Sequence, residues 1–166
     1  MSDTDRVRRV FQRALEVIVI AVVVALAAVV VMGVIYRKAG AALVWYDEVA
    51  AILLAWLTYY GAALAALHRG HIGVPAMVER LHGRLRTCVV IAGEVAVIGF
   101  FAVLAWAGWA VQSALVGTTL VSLPAVPAGL AQSVIPIGAV LFICAQLLSL
   151  PRVLRGERGA EEGTLP

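Results

Sequence analysis

Three long stretches without a charged residue constrain this chain more than any other feature. They cover residues 17–36, 49–67 and 95–151. About 20 apolar residues suffice for a helix to cross the bilayer core of about 30 Å, so the third stretch is too long for one crossing. Glycines and prolines in its middle mark the point where it folds back: Gly117, Pro124, Pro127 and Gly129. Because lipid offers no hydrogen bonds to the backbone, such stretches should be helical.

The predicted fold is therefore an all-α integral membrane domain over residues 15–151, with four transmembrane helices. The spans fall at about 15–36, 47–67, 87–112 and 132–151. The first apolar stretch is longer than the usual 7–15 residues of a signal peptide core, so we expect it to be retained as a helix. Polar tails flank the domain, and the C-terminal one is glycine-rich, so we expect disorder there. The tails cover residues 1–14 and 152–166.

The connection between the second and third spans has a helical pattern of its own. Pro75 suits the first position of a helix, and Met77, Leu81 and Leu85 then recur every four residues. This pattern predicts a short amphipathic helix at about 75–86, lying at the membrane surface. An ordinary helix in a surface loop is the alternative.

Lysines and arginines are distributed unevenly around the spans. Eleven lie in the N-terminal tail, the second connection and the C-terminal tail, against two in the first connection and none in the third. The positive-inside rule then places both termini in the cytoplasm. Four aromatic residues fall towards the outer interface, as an aromatic belt would: Trp45, Tyr46, Trp106 and Trp109. The same rule accounts for the net charge of +3, so we expect no nucleic-acid partner.

Catalytic and metal-binding signatures are missing from the sequence. His68, His71 and His82 all map outside the spans, whereas haem bound in a helical bundle needs axial histidines inside it. Cys88 and Cys144 fall within spans, and we expect them to be buried, reduced packing residues. There is no nucleophile elbow, phosphate-binding loop or zinc signature. We therefore expect a protein that is not an enzyme and has no cofactor or metal.

Acidic residues near or within the spans have structural explanations. Asp47 and Glu48 open the second span, where negative charge near a helix N-terminus is worth about 0.3–1 kcal/mol each. Glu94 is the one carboxylate well inside a span, where a charge costs about 2.5–3.5 kcal/mol on insertion scales. It could be protonated, hydrated, or paired with another helix or subunit. We favour an interface residue over an ion-coupling residue.

Small residues recur at four-residue spacing along the second span, as in Gly61 and Ala65. Such faces let helices approach closely, either within this chain or against another protein, and the sequence leaves both open. Pro136 lies in the first turns of the fourth span. Glu16, just inside the first span, resembles superficially the key glutamate of small multidrug exporters.

The order of these motifs resembles a known family. Trp45-Tyr46-Asp47-Glu48 is followed by Gly61-Ala62-Ala63, by His68-Arg69-Gly70-His71-Ile72-Gly73-Val74, and finally by Ser122-Leu123-Pro124 and Ile135-Pro136-Ile137-Gly138. Together they resemble the small membrane subunit (DctQ-type) of TRAP transporters, the tripartite ATP-independent periplasmic family, over about residues 10–155. The candidate family-motif or partner-interface residues are Trp45, Asp47, Glu48, Gly61, Arg69, Gly70, His71, Glu94 and Pro136.

The resemblance implies a non-catalytic scaffold in the bacterial inner membrane. In that family a periplasmic solute-binding protein captures the solute, such as an organic acid. A large membrane subunit moves it by symport with sodium, so the sodium gradient is used by the partner. The expected partners are that large subunit, the binding protein and the lipid bilayer. The alternatives are the small subunit of a tripartite tricarboxylate transporter and an autonomous four-helix exporter.

Overall fold

A computed structural model describes residues 3–68 and 84–155 of the chain. These residues form four long helices and one short helix: α1 (Asp3–Lys38), α2 (Tyr46–Leu67), α3 (Arg84–Ala114), α4 (Ala128–Gln132) and α5 (Val134–Arg155). One isolated bridge, between Thr119 and Pro127, is the only β-type pairing within the described ranges. The predicted all-helical class is thus confirmed. Within residues 3–68 and 84–155, four helical segments are long and apolar enough to cross a membrane.

The four long helices pack as a row in the order α1, α2, α5, α3. The row of helices has two ends along the helix axes, which we name the proximal end and the distal end. The proximal end holds the start of α1 and the end of α2, and the distal end holds the connections 39–45 and 115–127. Because α1 and α3 lie at the edges of the row, most of their apolar side chains are exposed. Such exposure is compatible with a lipid environment.

The contacts between α3 and α5 recur at seven-residue spacing along α3. Glu94 meets Gln146, the Phe101 ring stacks on Phe142 with centroids 3.7 Å apart, and Gly108 meets Pro136. A spacing of seven keeps the contact on one face of each helix when the two cross at a small angle.

The most buried apolar cluster lies towards the proximal end. It joins Leu15 of α1 to three residues at the end of α2 and to Phe142 and Ala145 of α5. The α2 residues are Ala63, Ala66 and Leu67, and the small side chains of the two alanines allow the helices to approach closely. This cluster ties the N-terminal half of α1 to the centre of the row.

Two features of the helices differ from expectation. Helix α1 begins at Asp3, so most of the predicted tail 1–14 is helical. The Arg8 guanidinium donates a hydrogen bond of 2.9 Å to the carbonyl of Leu67, which gives this polar extension a contact with α2. The fold-back also contains the short helix α4. The glycines and prolines of this segment predicted a turn and not a helix.

The predicted surface helix at about 75–86 lies mostly outside the described residues, and residues 84–86 belong to α3. Most of the predicted C-terminal tail 152–166 also lies outside them, although α5 continues to Arg155. The expected burial of Cys88 and Cys144 was wrong, because both side chains are exposed. In a membrane helix an apolar side chain can face lipid, so its position within a span does not predict burial.

Candidate functional sites at the distal end and within the membrane

Glu48, in the first turn of α2, holds the long distal connection in place. Its carboxylate accepts hydrogen bonds from the backbone N–H groups of Val121, at 3.2 Å, and Ser122, at 2.8 Å. Hydrogen bonds to a charged acceptor are stronger than neutral ones. The carboxylate therefore does more than favour the N-terminus of its own helix, because it fixes a segment more than 70 residues away in the chain.

The segment bound by Glu48 is a compact turn. Leu120 donates to the carbonyl of Val126, and Ala128 donates to that of Thr118, each at 3.0 Å. Gly117 supplies a backbone φ of +85° before the turn, a conformation that glycine adopts without steric cost. The Val121 side chain is 92% exposed at the tip. The turn thus presents an apolar tip on a base that Glu48 fixes.

The two residues around Glu48 have different environments. Trp45 precedes α2 with helix-like backbone angles and makes no side-chain capping bond, and its ring is partly buried. Asp47 is exposed and has no hydrogen-bond partner within the described ranges. The two adjacent carboxylates therefore have different roles. Glu48 binds the turn, whereas the Asp47 side chain is exposed.

Tyr46 joins the end of α1 to the start of α2. The Arg37 guanidinium donates to the Tyr46 hydroxyl and lies 5.4 Å from the ring centroid, within the range of a cation–π interaction. The same ring lies directly against Gly33, where a β-carbon would overlap it. A larger residue at position 33 would therefore displace the ring.

Glu94 faces α5 from the middle of α3 and has a partner that the sequence did not reveal. The Gln146 side-chain amide donates a hydrogen bond of 2.5 Å to the Glu94 carboxyl. Both side chains are partly buried. Ser149, one turn further along α5, donates to the backbone carbonyl of Gln146 at 2.8 Å. This pair is an intramembrane polar contact between two packed helices.

Pro136 lies in the first turn of α5, where the missing N–H is tolerated. Its ring lies 2.9 Å from the position that a β-carbon on Gly108 would occupy. Glycine at position 108 is thus what allows α3 to approach the start of α5. Pro136 therefore has a packing role in the contact between α3 and α5.

The remaining sequence candidates separate into distinct places. Gly61 is partly buried, but a β-carbon there would meet no atom within 4 Å, so packing inside this chain does not require glycine. Arg69, Gly70 and His71 lie outside the described residues. Glu48 and Glu94 belong to different regions, one at the distal end and one inside the membrane span.

A second polar group lies at the proximal end. Gln12 donates to the Glu16 carboxylate at 2.8 Å, and the Nε2 atom of His68 lies 3.8 Å from the same carboxylate. Glu16 thus contacts the end of α2 as well as its own helix. In residues 3–68 and 84–155, no group of three or more His, Cys, Asp or Glu side chains could hold a metal ion.

The fold and these sites define a multi-pass membrane protein with few polar groups inside its spans. A protein-family model then gives the identity: the DctQ component of tripartite ATP-independent periplasmic transporters matches residues 26–156. The chain belongs to this family and is a small membrane component of a TRAP transporter. The resemblance found in the sequence is confirmed. No curated protein matches the chain.

Proposed function

We propose that this chain is a non-catalytic scaffold subunit of a sodium-driven, binding-protein-dependent transporter for organic acids or similar solutes. It holds the large transport subunit in the bacterial inner membrane, with both of its own termini in the cytoplasm. The sodium gradient acts on the large subunit, and this chain needs no cofactor. The observation that carries the proposal is the family membership.

The distribution of charged residues supports a scaffold role rather than a direct role in moving the solute across the membrane. Ionisable residues inside a membrane usually mark substrate or ion routes. In the described spans two acidic side chains lie more than two turns from the helix ends: Glu94, which is hydrogen-bonded to Gln146, and Glu16, which accepts a hydrogen bond from Gln12 towards the polar proximal end. Asp47 and Glu48 lie at the distal end. One neutral amide and one carboxyl do not form a continuous polar path for a solute anion.

The proposed orientation places the distal end in the periplasm. Eleven lysines and arginines flank the proximal side of the spans, against two on the distal side. The turn fixed by Glu48 would then face the compartment in which a solute-binding protein delivers its ligand. This arrangement fits a component that works with a periplasmic partner.

Reconstitution into proteoliposomes tests the proposal. The chain alone should move no organic acid into the vesicles, with or without an inward sodium gradient. The chain together with its large membrane subunit and binding protein should give sodium-dependent uptake. Omitting this chain from that mixture should lower uptake, because the large subunit loses its scaffold. Uptake by the chain alone would refute the scaffold role, and full activity of the mixture without it would do so as well.

A further inference from the structure

The Glu94–Gln146 pair is only partly satisfied within this chain. Glu94 lies about 12 Å along α3 from Arg86, and Gln146 about 9 Å before Arg152 along α5, at about 1.5 Å per residue. Both side chains therefore lie inside the hydrocarbon region if the arginines are at its boundary. In that environment polar groups need protein partners, because lipid offers none.

The Glu94–Gln146 pair could form more hydrogen bonds than the one that it makes. A carboxyl group offers several hydrogen-bonding positions, and a glutamine amide offers two donors and an acceptor. The structure shows a single hydrogen bond between them, at 2.5 Å, and neither side chain has another partner in the described part of the chain. Both side chains are partly buried, so a neighbouring helix can reach them.

Two exposed residues flank Glu94 on its helix. Ile91 is 46% exposed and Val97 is 38% exposed. At about 100° per residue, they border the groove between α3 and α5 on its two sides. Ala96 lies on the far side of α3 and is also exposed. The groove that contains the polar pair is thus open along its edge.

We propose that the Glu94–Gln146 pair is a docking point for a transmembrane helix of the large subunit, which supplies a hydrogen-bond donor at this depth. A transmembrane helix is the expected occupant because hydrogen-bond acceptors that lack a donor inside a membrane are satisfied by a donor on a neighbouring helix. This inference rests on the proposed function, because it takes the large subunit as the partner.

Association of purified variants with the tagged large subunit tests the inference. Glu94→Leu should weaken association about three- to eighteenfold. This range is the conversion of about 0.6–1.7 kcal/mol for a hydrogen bond between membrane helices. Glu94→Gln should stay within about twofold of the wild type, because an amide still accepts and donates. Ala96→Val, at a similar depth but on the far side of α3, is the matched control and should bind like the wild type.

Two further readouts separate docking from a structural role. Glu94→Leu and Gln146→Leu both remove the bond between α3 and α5, so the thermal stability of each isolated variant is measured first, and association should weaken by more than any loss of stability explains. A photo-crosslinking residue at position 91 or 97 should capture the large subunit more efficiently than one at position 96. Crosslinking from position 96 alone would overturn the inference.

The outcomes distinguish this inference from the function on which it rests. If the wild type fails to associate with the large subunit, the scaffold function itself is refuted. If the wild type associates and Glu94→Leu associates equally well, only the docking point is refuted. The same holds if Glu94→Leu weakens association solely in proportion to a loss of subunit stability.

Discussion

Gly138→Ala should destabilise the subunit, because α2 and α5 are in direct contact at this position. A β-carbon on Gly138 would lie 2.6 Å from the Tyr59 β-carbon and 3.0–3.1 Å from two atoms of its ring. Carbon atoms pack best at about 3.5–4.0 Å. The Tyr59 β-carbon is fixed by the backbone of α2, so a change of side-chain rotamer cannot remove the clash. The two helices would have to separate by about 1 Å.

Two opposing terms set the magnitude. Overpacking in a well-packed interior costs about 1–3 kcal/mol. Replacing glycine by alanine inside a helix returns about 0.8–1.0 kcal/mol of helix propensity. The free energy of unfolding should therefore fall by about 2 kcal/mol at most. The contact between Gly138 and Tyr59 is what makes the net change a loss rather than a gain.

Gly61→Ala is the matched control, since it is the same substitution in the partner helix α2. No atom lies within 4 Å of a β-carbon there, so the propensity term acts alone and the subunit should become slightly more stable. Reversible unfolding in mixed detergent measures both free energies of unfolding. If Gly138→Ala proves as stable as Gly61→Ala, the close approach of α2 and α5 at this position is refuted.

Two other predictions concern the distal end. Glu48→Ala should speed hydrogen exchange across residues 118–128 several-fold because the turn loses its acceptor, whereas Asp47→Ala should leave it unchanged; equal exchange in both variants would contradict the role of Glu48. In a background without the native cysteines, an impermeant thiol reagent should label Val121→Cys but not Ser2→Cys in intact cells. The reverse pattern would contradict the proposed orientation.

Most of the helical architecture could be predicted from the sequence. Charge-free apolar stretches identify membrane helices because lipid excludes both charge and unpaired backbone groups. The short helix α4 is different, since five residues within a segment rich in glycine and proline leave no periodicity to detect. The extension of α1 back to Asp3 depends partly on a tertiary contact, the bond from Arg8 to the end of α2.

The partners of the candidate residues could not be predicted in the same way. The sequence identified Glu48 and Glu94 as unusual, but the residues that they bind lie 73 and 52 positions away. Gln146 is a neutral amide within an apolar stretch, and no local pattern connects it to Glu94. A signal was present nonetheless, because a carboxyl inside a span calls for a polar residue at similar depth on a neighbouring helix, and Gln146 meets that condition.

In this subunit the polar groups, rather than the exposed apolar ones, indicate where a partner protein binds. In a soluble protein the partner site is usually inferred from exposed apolar groups. Many large apolar side chains are exposed, among them Trp106 at 74% and Val95 at 64%, and a soluble domain with a large contiguous patch of such side chains would be expected to bind a partner through it. Lipid solvates these groups as well as another protein does, so their exposure fits lipid and partner equally. A hydrogen-bonding group is different, because lipid cannot satisfy it. The partly open Glu94–Gln146 pair therefore discriminates between the two neighbours, and association should respond to Glu94→Leu where Ala96→Val leaves it unchanged.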